Sequence, residues 1–213
     1  MQRVHRGPLL LLIVLVLVSL RVATSVNHAA GMVLLKLAPS AAWIAEAAIP
    51  SCIVALLIYA AIRPERPLAL PAAGTDWRPI VRISAIWLLV WLAASVAIFA
   101  LGHLAPYATG APVIAAFILF GPLGEEFLFR GAIFEVAQRA FPAWPRAPVL
   151  ISTVAFSLHH FELHADPLSA ATLGQVAFTV PMGLVFGEIR RRSQSLWPGL
   201  LVHIATNLPG LLR

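Results

Sequence analysis

Charge is what this sequence has least of. Only 11% of its 213 residues are Asp, Glu, Lys or Arg, against roughly 25% in an average soluble domain. Lysine is almost missing: Lys36 stands alone, and arginine carries the rest of the positive charge. The one cysteine, Cys52, excludes an intrachain disulfide and makes a cysteine-based metal site improbable. No internal repeat is visible, which removes the main support for a transporter built from two similar halves. What is abundant is apolar sequence: 60% of the residues are hydrophobic and the mean hydropathy is +0.89. These proportions exclude an ordinary soluble domain and predict an all-α, polytopic integral membrane helical bundle.

A spanning helix needs about 20 mainly apolar residues. Seven runs qualify, near 8–26, 41–62, 80–102, 112–138, 147–164, 168–189 and 196–212, so about seven transmembrane helices are expected. The first run also reads as a secretory signal, with a basic start and an apolar core. A retained span is preferred because the orientation then works throughout. With the N-terminus cytoplasmic, Arg3 and Arg6, the connector carrying Arg63, Arg66, Arg78 and Arg82, the Arg139/Arg146 loop and Arg190–Arg192 all lie inside. The opposite loops carry Lys36, no charge over 103–111, and Glu162 with Asp166. That is the positive-inside pattern, with the C-terminus outside. The net charge of +6 therefore reads as a topology signal, with membrane lipids as partners and no nucleic acid. Trp77, Trp87, Trp91, Trp144 and Trp197 read as interfacial anchors near span ends. The Arg190–Arg192 run reads as topology and lipid contact, with Glu188 pairing locally.

Against this background "GEEFLFRG" (124–131) stands out. It puts Glu125, Glu126 and Arg130 inside an apolar run, where each charge costs at least about 2.5–3.5 kcal/mol and must face protein or water. Glu126 and Arg130 are four apart and can pair on one helix face. Glu125 is rotated by about 100° from Glu126, which suggests a structural Glu126–Arg130 pair and a working Glu125. Gly121, Gly124 and Gly131 would admit a close neighbour. The fifth run carries His159, His160 and His164, and the seventh carries His203 and Asn207, four apart. A carboxylate, imidazoles and an amide are the parts needed to activate water and stabilise an oxyanion. A lone buried histidine is more often a hydrogen-bonded core residue, and Asn207 would serve equally well as a link between helices. Two glutamates and an arginine at one level, with polar partners on two other runs, argue beyond that.

Three motifs stand in order: "EEFLFR" (125–130) as EExxxR, "FSLHH" (156–160) as FxxxH, and "HIATN" (203–207) as HxxxN. Together they resemble the CPBP family of intramembrane glutamate proteases, the CAAX prenyl endopeptidases of type II and bacteriocin-processing enzymes, also called Abi. The resemblance covers about residues 110–210. It implies an endopeptidase acting on a membrane-associated peptide or protein, prenylated in CAAX-type processing. Carried over, it implies that Glu125 and His160 activate water, that His203 and Asn207 form the oxyanion hole, and that Glu126 and Arg130 support the site. No cofactor is required. The expected layout is a membrane platform over 1–105 and a catalytic domain over 106–213, in a bacterial cell (inner) membrane.

Other intramembrane protease classes fit poorly. There is no HExxH, no GxGD and no GxSG-type serine in a span, and Asp76 and Asp166 both lie in loops. Three alternatives stay open. One is a metal-dependent peptidase, with zinc held by His160, Glu162 and His164. The second is a non-catalytic scaffold or immunity protein on the same bundle. The third is a proton-coupled transporter using Glu and His as a relay.

Overall fold

The computed structural model describes residues 14, 39–63, 70–100, 116–162 and 169–211. The expected first span at 8–26, apart from residue 14, lies outside them, as does the uncharged loop at 103–111. Every regular element among the described residues is helical. Helix α1 spans Pro39–Ile62 and α2 spans Trp77–Ala100. The next element, α3, is a chain of segments: a π-helical turn at Ala116–Phe120, an α-helical turn at Gly121–Glu125, a π-helical run at Glu126–Ile133 and an α-helical end at Phe134–Ala140. Helix α4 spans Ala147–Glu162, α5 Ala170–Ser193 and α6 Trp197–Asn207, the last followed by a 3₁₀ turn at Leu208–Leu211.

Local chemistry sets the ends. The Asp76 carboxylate accepts from the Arg78 N–H at 3.1 Å and opens α2. The Ser169 hydroxyl accepts from the Thr172 N–H at 3.2 Å and opens α5. Each is a polar cap that satisfies an N–H with no partner inside its helix. Pro198 stands in the first turn of α6, where its missing N–H costs nothing. Helix α5 stops at Gln194, which takes a left-handed backbone (φ 53°).

Two helices are long and apolar enough to cross a membrane, Trp77–Ala97 and Thr172–Ser193. The described part of α1 contributes a shorter apolar stretch, Ser51–Ala60. The fourth expected span is the segmented α3. The fifth and seventh form helices of 16 and 11 residues, shorter than a straight crossing needs. The distribution of side chains is inverted relative to a soluble protein. Leu57, Leu89, Val96, Val154 and Leu201 are exposed, while Glu126, Arg130, Ser152, His160, Arg190 and His203 are buried. Apolar outside and polar within is the arrangement that hydrocarbon surroundings favour.

Small residues set the tightest contact. A Cβ at Gly183 would meet the Thr153 Cγ2 at 2.8 Å and its Cα at 3.2 Å, and one at Gly187 would meet the Val149 Cγ1 at 2.9 Å. Residues 183 and 187 share a face of α5, so their missing side chains let α4 seat one turn after another. On the other side, a Cβ at Gly131 would overlap the Tyr59 hydroxyl of α1. Gly131 thus admits the close neighbour expected of it.

Two tryptophans correct the anchor reading. Trp87 lies mid-helix in α2, is buried, and donates its indole N–H to the Thr206 hydroxyl at 2.9 Å. Trp91 donates to the Thr206 carbonyl at 2.5 Å, and both rings stack on Phe178. These indoles bind α2 to α6 and α5. Trp77 and Trp144 are exposed, as anchors would be.

The glycine contacts make an opposed pair of predictions. Gly183→Val is expected to lower stability by about 1–3 kcal/mol, the usual cost of overpacking. Gly174→Ala, where nothing lies within 4 Å, is expected to be neutral or to add about 0.4–1 kcal/mol. Thermal unfolding of the two variants in detergent checks both signs.

Candidate active site

The polar groups converge where α3, α4 and α6 meet. Glu125 ends the α-helical turn of α3 and Glu126 begins its π-helical run. Such π-turns are rare and are frequent at functional sites. Pro122 stands between the two π segments, and without an N–H it cannot complete an ordinary helical ladder there.

Glu126 is fully buried and holds two partners on one oxygen. Its Oε1 lies 3.2 Å from the Arg130 Nη1 and accepts from the His203 Nδ1 at 3.0 Å. The Arg130 ion pair is close but lies off the hydrogen-bond line, and its guanidinium nitrogens have no hydrogen-bond partner among the described residues. The guanidinium sits instead over the Phe156 ring, 4.2 Å from the centroid, and 5.4 Å from that of Phe186. Aromatic faces stabilise a cation without supplying acceptors. The second Glu126 oxygen is also buried and unpartnered, and a Cβ at Gly199 would come within 3.4 Å of it.

Glu125 stands differently. Its side chain keeps 17% of its exposure, against none for Glu126. One oxygen lies 3.9 Å from the His160 Nε2 and the other 3.5 Å from the His203 Nε2. The orientation of His160 is fixed from behind. Its Nδ1 lies 2.9 Å from the Phe156 carbonyl, which can only accept, so Nδ1 carries the proton. Its Nε2 lies toward Glu125. His203 bridges the two carboxylates, Nδ1 to Glu126 and Nε2 toward Glu125. Phe186 lies tilted beside its ring, 4.9 Å between centroids.

Five of the six residues singled out by the motifs therefore form one connected cluster: Glu125, Glu126, Arg130, His160 and His203. Asn207 is half-buried at the end of α6, one turn beyond His203. Of the two adjacent histidines, His160 is the one that faces Glu125. His159 packs on the Phe129 ring, 5.6 Å between centroids. The pairing of Glu126 with Arg130 and the separate direction of Glu125 follow the helix-face reading. The contacts of Gly199, Phe156 and Phe186 do not, because they join elements far apart in sequence and carry no spacing signal. Two members of the alternative zinc set, His164 and the side chain of Glu162, lie outside the described residues. Among the described residues, no group of three or more His, Cys, Asp or Glu has metal-binding spacing.

The described residues thus hold a connected Glu–Glu–Arg–His–His cluster, enclosed in a helical bundle with an apolar exterior. Residues 107–209 match the family model described as Type II CAAX prenyl endopeptidase Rce1-like, and this stretch belongs to that family. The match spans all three motifs, and the family it names is one of membrane-embedded peptidases that act on peptides or proteins. No curated protein and no solved structure matched the chain.

The two carboxylates should respond differently to substitution. Glu126→Ala leaves a buried guanidinium without its anion and is expected to cost about 3–5 kcal/mol. Glu125→Gln removes a partly exposed charge and is expected to leave the unfolding midpoint close to wild type. Scanning fluorimetry of both purified variants makes the comparison; equal losses would refute the division of roles.

Proposed function

We propose that this chain is an intramembrane endopeptidase in which Glu125 and His160 activate the hydrolytic water. One observation carries the reading: Glu125, the partly exposed carboxylate, lies 3.9 Å from the Nε2 of His160, whose Nδ1 is held by the Phe156 carbonyl. That separation is too long for a direct hydrogen bond and suits one water held between the two groups. In this reading Glu125 and His160 take the water proton while its oxygen bonds to the scissile carbonyl carbon. His203 and the Asn207 amide donate to the resulting oxyanion. The proton then passes to the departing amine as the C–N bond breaks. Glu126 and Arg130 act as support by fixing His203. The catalytic set falls in 106–213, with 1–105 as its membrane platform, in a bundle of about seven spans. The proposed orientation is N-terminus inside and C-terminus outside, in a bacterial cell (inner) membrane. Family membership favours a prenylated CAAX-type peptide as substrate.

The test is cleavage of a fluorogenic peptide panel, with and without a farnesyl group, by detergent-purified protein. Glu125→Ala and His160→Ala are each expected to reduce turnover by about 10²–10⁴-fold, the usual contribution of a general base. Prenyl-dependent cleavage lost in both variants supports the reading. Cleavage unchanged by Glu125→Ala removes Glu125 from the chemistry. Activity lost to a chelator and restored only by zinc would shift the mechanism to a metal-dependent one. A cellular role that survives Glu125→Ala would identify a scaffold.

A further inference from the structure

We infer that Arg190 is a positioning residue that holds the π-helical run of α3, and with it the two glutamates, in register. Arg190 stands in the basic run that ends α5. Its neighbours Arg191 and Arg192 both bind Glu188, at 2.6 Å each, on the outer side of the helix. Arg190 instead turns inward and is 7% exposed. The reading of the whole run as topology and lipid contact does not extend to it.

Its contact explains why a cation is buried there. In an α-helix the Phe134 N–H would bond the Arg130 carbonyl, four residues back. Here the Phe134 N–H goes to the carbonyls of Phe129 and Gly131, so Arg130 is skipped. That carbonyl lies near the change from π- to α-winding, without its α-helical donor. The Arg190 Nε–H supplies it at 3.0 Å, from a helix sixty positions away. The guanidinium carbon then lies 5.3 Å from the Phe134 ring centroid, beside the same junction. Returning residues 126–133 to α-winding would give Arg130 its ordinary partner and shift the rotation of Glu125 and Glu126 relative to Arg130 and α4. A charged donor fixed on the skipped carbonyl opposes that return. On the opposite side, the Tyr59 hydroxyl fills the space at Gly131, so the run is held from two helices.

The activity arm of the test rests on the peptidase reading; the structural arm does not. Wild type, Arg190→Met, Arg190→Lys and the controls Arg191→Met and Arg192→Met are purified in detergent. Hydrogen–deuterium exchange is followed in peptides covering 126–134 and, as reference, 77–100. Arg190→Met is expected to speed exchange in 126–134 by about tenfold or more while leaving 77–100 within twofold, with Arg190→Lys intermediate because an ammonium can still donate one bond. On the cleavable peptide, kcat is expected to fall about tenfold or more with KM within twofold. Both controls are expected to match wild type. Unchanged exchange in 126–134, or exchange rising equally in both regions, overturns the clamp. Faster local exchange with unchanged kcat overturns its positioning role. If wild type cleaves nothing, the peptidase reading fails on its own, and the exchange data still decide whether Arg190 holds the junction.

Discussion

A guanidinium enclosed without water must have an anion beside it, and the site is organised around that requirement. Arg130 is wholly buried, and Glu126 is its ion-pair partner among the described residues. The pairing commits Glu126 to one place, and the His203 Nδ1 takes its direction from the same oxygen. The Phe156 ring covers the cation, while the Phe156 carbonyl orients His160. One residue of α4 therefore ties the charge pair to the second imidazole. A buried pair of this kind adds little net stability, because desolvation offsets most of the attraction. Its worth lies in fixing geometry: removing either member leaves the other uncompensated, so the arrangement resists alternatives.

The backbone contributes as much as the side chains. A regular helix over 112–138 would place Glu125 and Glu126 about 100° apart and leave every carbonyl paired along the axis. The π-winding changes the second feature: the Arg130 carbonyl accepts from Arg190 of another helix. The two carboxylates approach His203 at different nitrogens, Glu126 at Nδ1 and Glu125 at Nε2. Small residues let the neighbours come close enough to do this. Gly131 admits Tyr59, Gly183 and Gly187 admit α4, and Gly199 leaves room beside Glu126. The indoles of Trp87 and Trp91 secure Thr206, three residues from His203. The N-terminal half of the chain thus touches the element that carries the imidazole.

What the sequence disclosed and what it withheld follow a physical division. Hydropathy depends on composition over a window, so the helical elements were legible at 41–62, 80–102, 147–164 and 168–189, with ends displaced by a few residues. The Glu126–Arg130 pair was legible because it is local, four residues along one helix. The catalytic candidates were legible as motifs whose spacings match a family. The π-winding was not, since no local preference in residues 126–133 signals it. Trp87 and Arg190 were read as membrane-facing because tryptophan and arginine usually are at such places. Their inward turn depends on Thr206 and the Arg130 carbonyl, which no periodicity reveals.

Under the proposed mechanism, a similar division explains why two adjacent glutamates are needed where one would seem enough. A carboxylate that is to activate water must keep some contact with water, which leaves it poorly placed to neutralise a buried arginine. One that neutralises the arginine must be dry, which denies it a water to activate. Placing the two at successive positions on a wound segment lets each occupy its own environment, Glu126 with none of its surface exposed and Glu125 with 17%. Glu125 is thus the member of the trio with the most exposed surface. Charge in an apolar bundle costs least where it is least enclosed, and that is the carboxylate proposed to activate water.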